Sequence, residues 1–161
     1  MRKNSADFQQ EVFVIKPSDW VNVIAVTPQQ EVILVKQFRQ GTQEVTLEIP
    51  GGMVDPGESP LQTAQRELEE ETGYVSQAWS LLGSVRPNPA IQDNFCYTFL
   101  AEQASPDKLQ SLGPAEELEI VKVPLLEIPP MIASGLINHA LVIVAFCFLS
   151  LARSGFFFTS K

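Results

Sequence analysis

Four glutamates crowd one short segment of this chain, RELEEE at residues 66–71, and three of them, Glu67, Glu70 and Glu71, stand at i, i+3 and i+4. On a helix, positions i, i+3 and i+4 share a face. Like charges at that spacing oppose one another by roughly 0.2–0.5 kcal/mol per pair. Acids in a last turn also meet the negative end of the helix dipole, an exposed cost of about 0.3–1 kcal/mol each. A helix shaped only for stability would carry Lys or Arg there, and such local inconsistency is expected at functional sites. Two readings stay open, a solvated acidic face and a cation-binding cluster. In the second, a divalent ion turns the repulsion into attraction, because Mg²⁺ and Mn²⁺ take hard oxygen ligands. Such an ion acts on phosphates by neutralising charge and lowering the pKa of a bound water. Gly51 and Gly52 lie close by in sequence. With no Cβ they allow main chain, including a backbone carbonyl, to approach the same site.

The surrounding sequence predicts how this segment is held. Ser59 followed by Pro60 reads as an N-cap and a proline in the first turn. Leu61, Ala64 and Leu68 form an apolar stripe, and Gly73 closes the helix. Before it, residues 45–49 alternate as a strand and run into Pro50, Gly51 and Gly52, where a loop is expected. Asp55-Pro56-Gly57 is a turn. Further strands are predicted at 11–15, 21–26, 31–37, 78–85, 95–101 and 117–123, with a polar surface loop over 102–114. A short helical turn from Pro129-Pro130 to Ser134 and a last helix over 137–151 complete the pattern. Strands on both sides of a central helix, with a second helix at the end, predict an α/β fold whose mixed sheet is covered on both faces.

Composition narrows the partners. The 161 residues carry 11 Lys plus Arg against 19 Asp plus Glu, a net charge of −8, with 45% hydrophobic residues. That is enough for one domain, 1–161, with a full core. The negative balance opposes the wrapping of a polyanion, so no nucleic acid partner is expected. A small anionic substrate stays open if a divalent cation stands between it and the carboxylates. Cys96 and Cys147 sit in apolar contexts, with no CxxC pair and no zinc spacing. They read as buried reduced thiols in a cytoplasmic protein. The N-terminal MRKNSADFQQ has no apolar segment and does not read as a secretory signal. Residues 140–152 are uncharged but number thirteen, against about 20 needed to cross a bilayer. A buried helix is expected, and no membrane.

The spacing as a whole then becomes informative. Gly52, five residues, Glu58, seven residues, Arg66-Glu67-Leu68, one residue, Glu70-Glu71, one residue and Gly73 resembles the signature of the Nudix hydrolases over residues 52–74. At roughly 6% usage per fixed position, chance would produce it on the order of once in 10⁸ windows. Tyr74 departs from the family's usual aliphatic residue at a packing position. KQFRQGTQEVTLEIPGG before the signature and GSVRPNPAIQDNFCYTFLA after it resemble the ADP-ribose and nucleoside-diphosphate-sugar pyrophosphatases.

The resemblance implies a Nudix-type α/β/α sandwich in which residues 52–74 form a loop, helix, loop unit. It implies Glu67, Glu70 and Glu71 as metal ligands, joined by the Gly51 carbonyl, with Mg²⁺ as cofactor and Mn²⁺ as its substitute. Arg66 would hold Glu67 in place, Glu58 would support the loop, and Arg39 and Glu48 would contact substrate. A glutamate outside the signature, Glu116 or Glu117 in AEELE, would assist water activation. Relatives carry extra N-terminal strands that take part in dimerisation, so a homodimer belongs to the same expectation.

The reaction implied is hydrolysis of a pyrophosphate bond in a nucleoside diphosphate linked to another group. ADP-ribose or another NDP-sugar would give a nucleoside monophosphate and a sugar phosphate. Two other readings stand beside it: a pyrophosphatase of (deoxy)nucleoside triphosphates or dinucleoside polyphosphates, and a nucleotide-binding regulatory domain without turnover. Arg39 has a plain reading as an exposed strand-end arginine. His139 reads as a capping or packing residue, Trp20 and Phe38 as core residues or base-stacking ones, and Phe156–Phe158 as a segment that docks on the fold or on a dimer partner.

Overall fold

The computed structural model describes residues 11–113 and 117–153. Phe156–Phe158 and Glu116 lie outside the described residues. Nine strands and three helices follow in chain order: β1 (Trp20–Val26), β2 (Glu31–Arg39), β3 (Glu44–Glu48), β4 (Gly51–Met53), α1 (Pro60–Thr72), β5 (Tyr74–Val75), β6 (Ala78–Val85), β7 (Cys96–Glu102), β8 (Ser105–Pro106), β9 (Leu118–Pro124), α2 (Ile128–Ala133) and α3 (Ala140–Ala152). A 3-10 turn, Leu125–Glu127, leads into α2.

Seven strands form one mixed sheet in the order β3-β2-β1-β7-β6, with β4 paired to β1 and β9 paired to β2. β1 runs parallel to β7 over its whole length, and the remaining pairs are antiparallel. The central strands bury both faces, which is why VNVIAV reads as a nearly continuous apolar run. Val21, Val23 and Ala25 pack with Ile33, Phe99 and the α1 residues Ala64 and Leu68. Ile24 and Val26 point the other way and join Val32, Leu34, Ile128 and the α3 residues Val142, Ala145, Phe146 and Leu149. Helices therefore cover both faces of the sheet, giving an α/β/α sandwich.

Four of the structure's departures from the expected pattern bear on the site or its surroundings. Residues 11–15 are not a strand. Ile15 makes one isolated bridge to Gln92, and Val12, Phe13 and Val14 stand exposed. After Glu11 the run is apolar at every position, and with no buried face to set its register it has nothing to align it along a sheet. Gly51 and Gly52 do continue a ladder, as β4 against β1, with Asn22 opposite Gly51 and Val21 opposite Gly52. A Cβ on Gly51 would overlap the Val21 carbonyl oxygen, so glycine is what allows the close approach. Leu61 lies at the margin of α1 and is exposed. The buried face continues instead through Ala64, Leu68, Glu71 and Thr72, at the helical spacing of three and four. Finally α3 begins at Ala140, because His139 is extended (φ −71°, ψ 120°). Ile137 enters the core ahead of the helix. No helix among the described residues is long and apolar enough to cross a membrane.

Candidate active site

The geometry of the site begins with the ends of α1. Ser59 and Gln62 form a reciprocal capping box, in which each side chain accepts from the other residue's backbone N–H, with Pro60 in the first turn. Gly73 closes the helix in the left-handed conformation (φ 70°), its N–H donating to the Glu69 carbonyl at 2.7 Å. These local signals fix where α1 starts and stops, and burial of Ala64 and Leu68 against the sheet sets its rotation, which decides which carboxylates face the sheet. Glu71 falls on the buried face at 6% exposure. Its Oε2 accepts from the Gly51 backbone N–H at 3.0 Å. Glu67 lies against Gly52, where a Cβ would overlap its carboxylate. Glu70 is half-exposed.

Arg66 ties this end of the molecule together. Its Nε donates to Glu58 Oε1 at 3.1 Å and its Nη2 to Glu58 Oε2 at 3.2 Å. Nη1 donates to Glu67 Oε1 and to Glu70 Oε2, each at 3.0 Å. Asp55 adds a fourth carboxylate at 3.5 Å from Nη2. Hydrogen bonding by Glu58 above all, then by Glu70, outweighs partial burial and raises the Arg66 pKa further above its ordinary value. In return Arg66 and the Thr63 hydroxyl, which donates at 2.7 Å, hold Glu58 below the usual carboxylate range. The like-charge conflict read in RELEEE is thus offset by a guanidinium from within the same segment.

A cavity of about 960 Å³ opens beside these groups. Glu67, Glu71, Arg66, Gly51 and Gly52 line one side. Arg39, Thr46 and Glu48 from the β2–β3 hairpin, together with Asn138 and His139 ahead of α3, line another. Glu48 is buried at 4% exposure. Its carboxylate receives a forked contact from Arg39, with Nε and Nη2 each at 2.7 Å, and the Thr46 hydroxyl at 2.6 Å. Burial works to raise the Glu48 pKa, but the hydrogen bonds from Arg39 and Thr46 prevail and hold it below its ordinary value. The Arg39 pKa is raised, first by its hydrogen bond to Glu48.

The structure therefore gathers Arg66, Glu67, Glu71, Gly51, Arg39 and Glu48 around one cavity. Glu58 and Glu70 stand just behind, held by Arg66. Glu117 is exposed ahead of β9 and does not line the cavity. Trp20 lines it, whereas Phe38 is 48% exposed and lies outside it. Gly51 meets the acidic cluster through its N–H. His139 occupies the N-cap position of α3, but its side chain makes no capping hydrogen bond. It faces Glu48 instead, with Nε2 3.9 Å from Oε2. Sequence reading placed neither His139 nor Thr46 in the site. His139 carries no local signal, being far from Glu48 along the chain. Thr46 could have been found, since it shares a strand face with Glu48 at a spacing of two.

The donor set fits a hard divalent cation: carboxylate oxygens on a rigid helix beside a glycine strand. As they stand, the carboxylates are spoken for by Arg66 and the Gly51 N–H. No three His, Cys, Asp or Glu among the described residues are gathered closely enough to hold an ion. Loading would need side-chain shifts of Glu67, Glu70 or Glu71 away from these partners. Cys96 takes no part, since burial pushes its thiol pKa up to about 12.

Comparison with known proteins bears on the whole arrangement. The NUDIX domain profile matches residues 17–140. The chain is 34% identical over 142 residues to an ADP-ribose pyrophosphatase of Bacillus subtilis (strain 168), covering 88% of this chain and 77% of that one. It is 30% identical, over the same shares of each chain, to a methanol dehydrogenase activator of Bacillus methanolicus. A crystal structure of an ADP compounds hydrolase superposes with a TM-score of 0.76 at 25% identity, covering 85% of this chain and 73% of that chain.

Proposed function

The chain belongs to the NUDIX domain family and is a Nudix hydrolase, and from that premise we propose that it hydrolyses the pyrophosphate bond of ADP-ribose or a closely related ADP-sugar. The products are AMP and a sugar phosphate. The observation that carries this reading is the juxtaposition, around one cavity, of the Glu67/Glu71 side and the Arg39–Glu48 pair. The similarity to an ADP-ribose pyrophosphatase over 88% of the chain supports the same substrate class.

Glu67, Glu70 and Glu71 would hold Mg²⁺, or Mn²⁺ in its place, with the Gly51 carbonyl as a further ligand. When bound, the ion neutralises diphosphate charge and lowers the pKa of a water. The protein's own contribution is placement. Arg66 ties Glu67, which lines the cavity, to Glu70 just behind it, and Glu58 fixes the Arg66 guanidinium from behind. The Gly51 N–H orients Glu71. Arg39, fixed by Glu48 through Nε and Nη2, has Nη1 left for an anionic oxygen of the substrate. In-line attack of water on phosphorus needs this alignment of charge and geometry more than any covalent participation by the chain. We do not assign the water-activating glutamate to Glu117, which lies off the cavity. Two free cysteines, Cys96 and Cys147, agree with a cytoplasmic setting.

The test is a panel of ADP-ribose, ADP-glucose, GDP-mannose and dGTP, assayed with Mg²⁺, with Mn²⁺ and with chelator. Metal-dependent release of AMP from ADP-ribose is expected to exceed turnover of dGTP. Preference for dGTP would shift the reading to nucleoside triphosphates, and no turnover of any member would favour a binding domain.

A further inference from the structure

The part of the cavity lining formed by Glu48 and His139 contains a donor and an acceptor set apart by a gap. Glu48 Oε1 already accepts two hydrogen bonds, from Arg39 Nε and Thr46 Oγ1. Oε2 accepts from Arg39 Nη2 and retains capacity for another donor, since a carboxylate oxygen takes about two. His139 Nε2 faces that oxygen across 3.9 Å, beyond hydrogen-bond reach. The other ring nitrogen, Nδ1, is buried with no partner. A carboxylate facing Nε2 favours the tautomer protonated there, because a bare lone pair would meet negative charge. The wall thus presents one N–H and one free lone pair, with no direct bond between them.

We propose that His139 is a substrate-binding residue which, together with Glu48, takes one sugar hydroxyl of the substrate. A hydroxyl oxygen about 2.8 Å from each partner spans the 3.9 Å gap at an angle of about 90°, accepting from His139 Nε2 and donating to Glu48 Oε2. Few groups satisfy both sides. A phosphate oxygen accepts only and would be repelled by Glu48. An amide or ring N–H donates only and would clash with the imidazole N–H. Among the groups of such a substrate only a hydroxyl both donates and accepts at one atom, and an NDP-sugar has hydroxyls on its nucleoside ribose and on its distal sugar. The inference rests on the pyrophosphatase reading and deepens it by naming what recognises the sugar. It is also compatible with the fold, because the His139 side chain caps nothing that a substitution would expose.

The test compares wild type, His139→Phe, which keeps a ring without a donor, and His139→Gln, which restores an N–H. Three substrates are assayed with Mg²⁺: ADP-ribose, its 2′,3′-dideoxyadenosine analogue, and the methyl ester of ADP, which lacks the distal sugar. Melting temperatures accompany the kinetics, and His139→Ala replaces His139→Phe if the latter fails to fold. For ADP-ribose, His139→Phe should raise KM about tenfold with kcat changed less than about threefold, and His139→Gln should recover most of that loss. One analogue, the one lacking the recognised hydroxyl, should show no KM difference between wild type and His139→Phe, which identifies the sugar. An unchanged KM for ADP-ribose in His139→Phe, or an equal rise on all three substrates, overturns the proposal. A wild type inactive on all three sinks the pyrophosphatase reading and this inference together. An active wild type whose KM ignores His139 sinks the inference alone.

Discussion

The carboxylate of Glu67 occupies the space that a side chain at Gly52 would need, while the carbonyl oxygen of Val21 occupies the space beside Gly51. The two adjacent glycines are therefore required for different reasons. At 51 the obstacle is backbone in a paired strand, which cannot move without loss of the β1–β4 pairing. At 52 it is the far end of a side chain, which can swing aside.

Gly51→Ala is accordingly expected to lower the melting temperature by several degrees, a cost of about 1–3 kcal/mol for overpacking. Gly52→Ala should change the melting temperature much less and reduce kcat by at least about tenfold, because it displaces Glu67. Thermal unfolding and steady-state kinetics on both variants check this. Equal stability loss with equal activity loss would remove the distinction.

Glu67→Gln, Glu70→Gln and Glu71→Gln should each lower turnover by a factor of about a hundred or more, if these side chains hold the metal. Their folds should survive. Glu71→Gln retains an acceptor for the Gly51 N–H, and Glu70→Gln removes one like charge from the last turn of α1. Wild type should melt higher as Mg²⁺ is added, because an ion that binds only the native state stabilises it, and the variants should show a smaller rise. Near-normal turnover in all three variants would withdraw the metal site from this helix.

Arg66→Lys keeps the charge but loses the fork that reaches Glu58, Glu67 and Glu70 together. We expect kcat/KM to fall at least about tenfold and the Mg²⁺ concentration for half-activity to rise, with melting temperature lowered only slightly. Wild-type behaviour of the lysine variant would show that charge alone suffices there.

Glu48 gives the pH dependence of stability a sign. Its folded pKa is depressed below the ordinary value of 4.5. Its contribution is therefore complete above that value and is lost as pH falls through the depressed one. The melting-temperature difference between wild type and Glu48→Gln should be constant above about pH 5.5 and should shrink as acid is added. A difference that grows on acidification would contradict the Arg39–Glu48 pairing as the source of the shift.

What the chain's order of residues determined was whatever depends on neighbours within a turn or two. The N-cap at Ser59, the helix end at Gly73 and the clustering of Glu67, Glu70 and Glu71 all act across fewer than five positions, and all were legible. The strand at 21–26 was legible as a nearly continuous apolar run. The Nudix spacing could be read because it lies within one short continuous stretch, residues 52–73. The tertiary structure decided everything that depends on which distant segments meet. Pairing of β4 with β1 turned an expected loop into a strand and aimed the Gly51 N–H at Glu71. The hairpin brought Arg39 onto Glu48, and packing of α3 against the sheet set His139 across from the same carboxylate. Side chains so far apart along the chain share no periodicity that could announce them. Their meeting is fixed by burial of the two cores on either face of the sheet, since those contacts supply the free energy that holds the intervening loops in place.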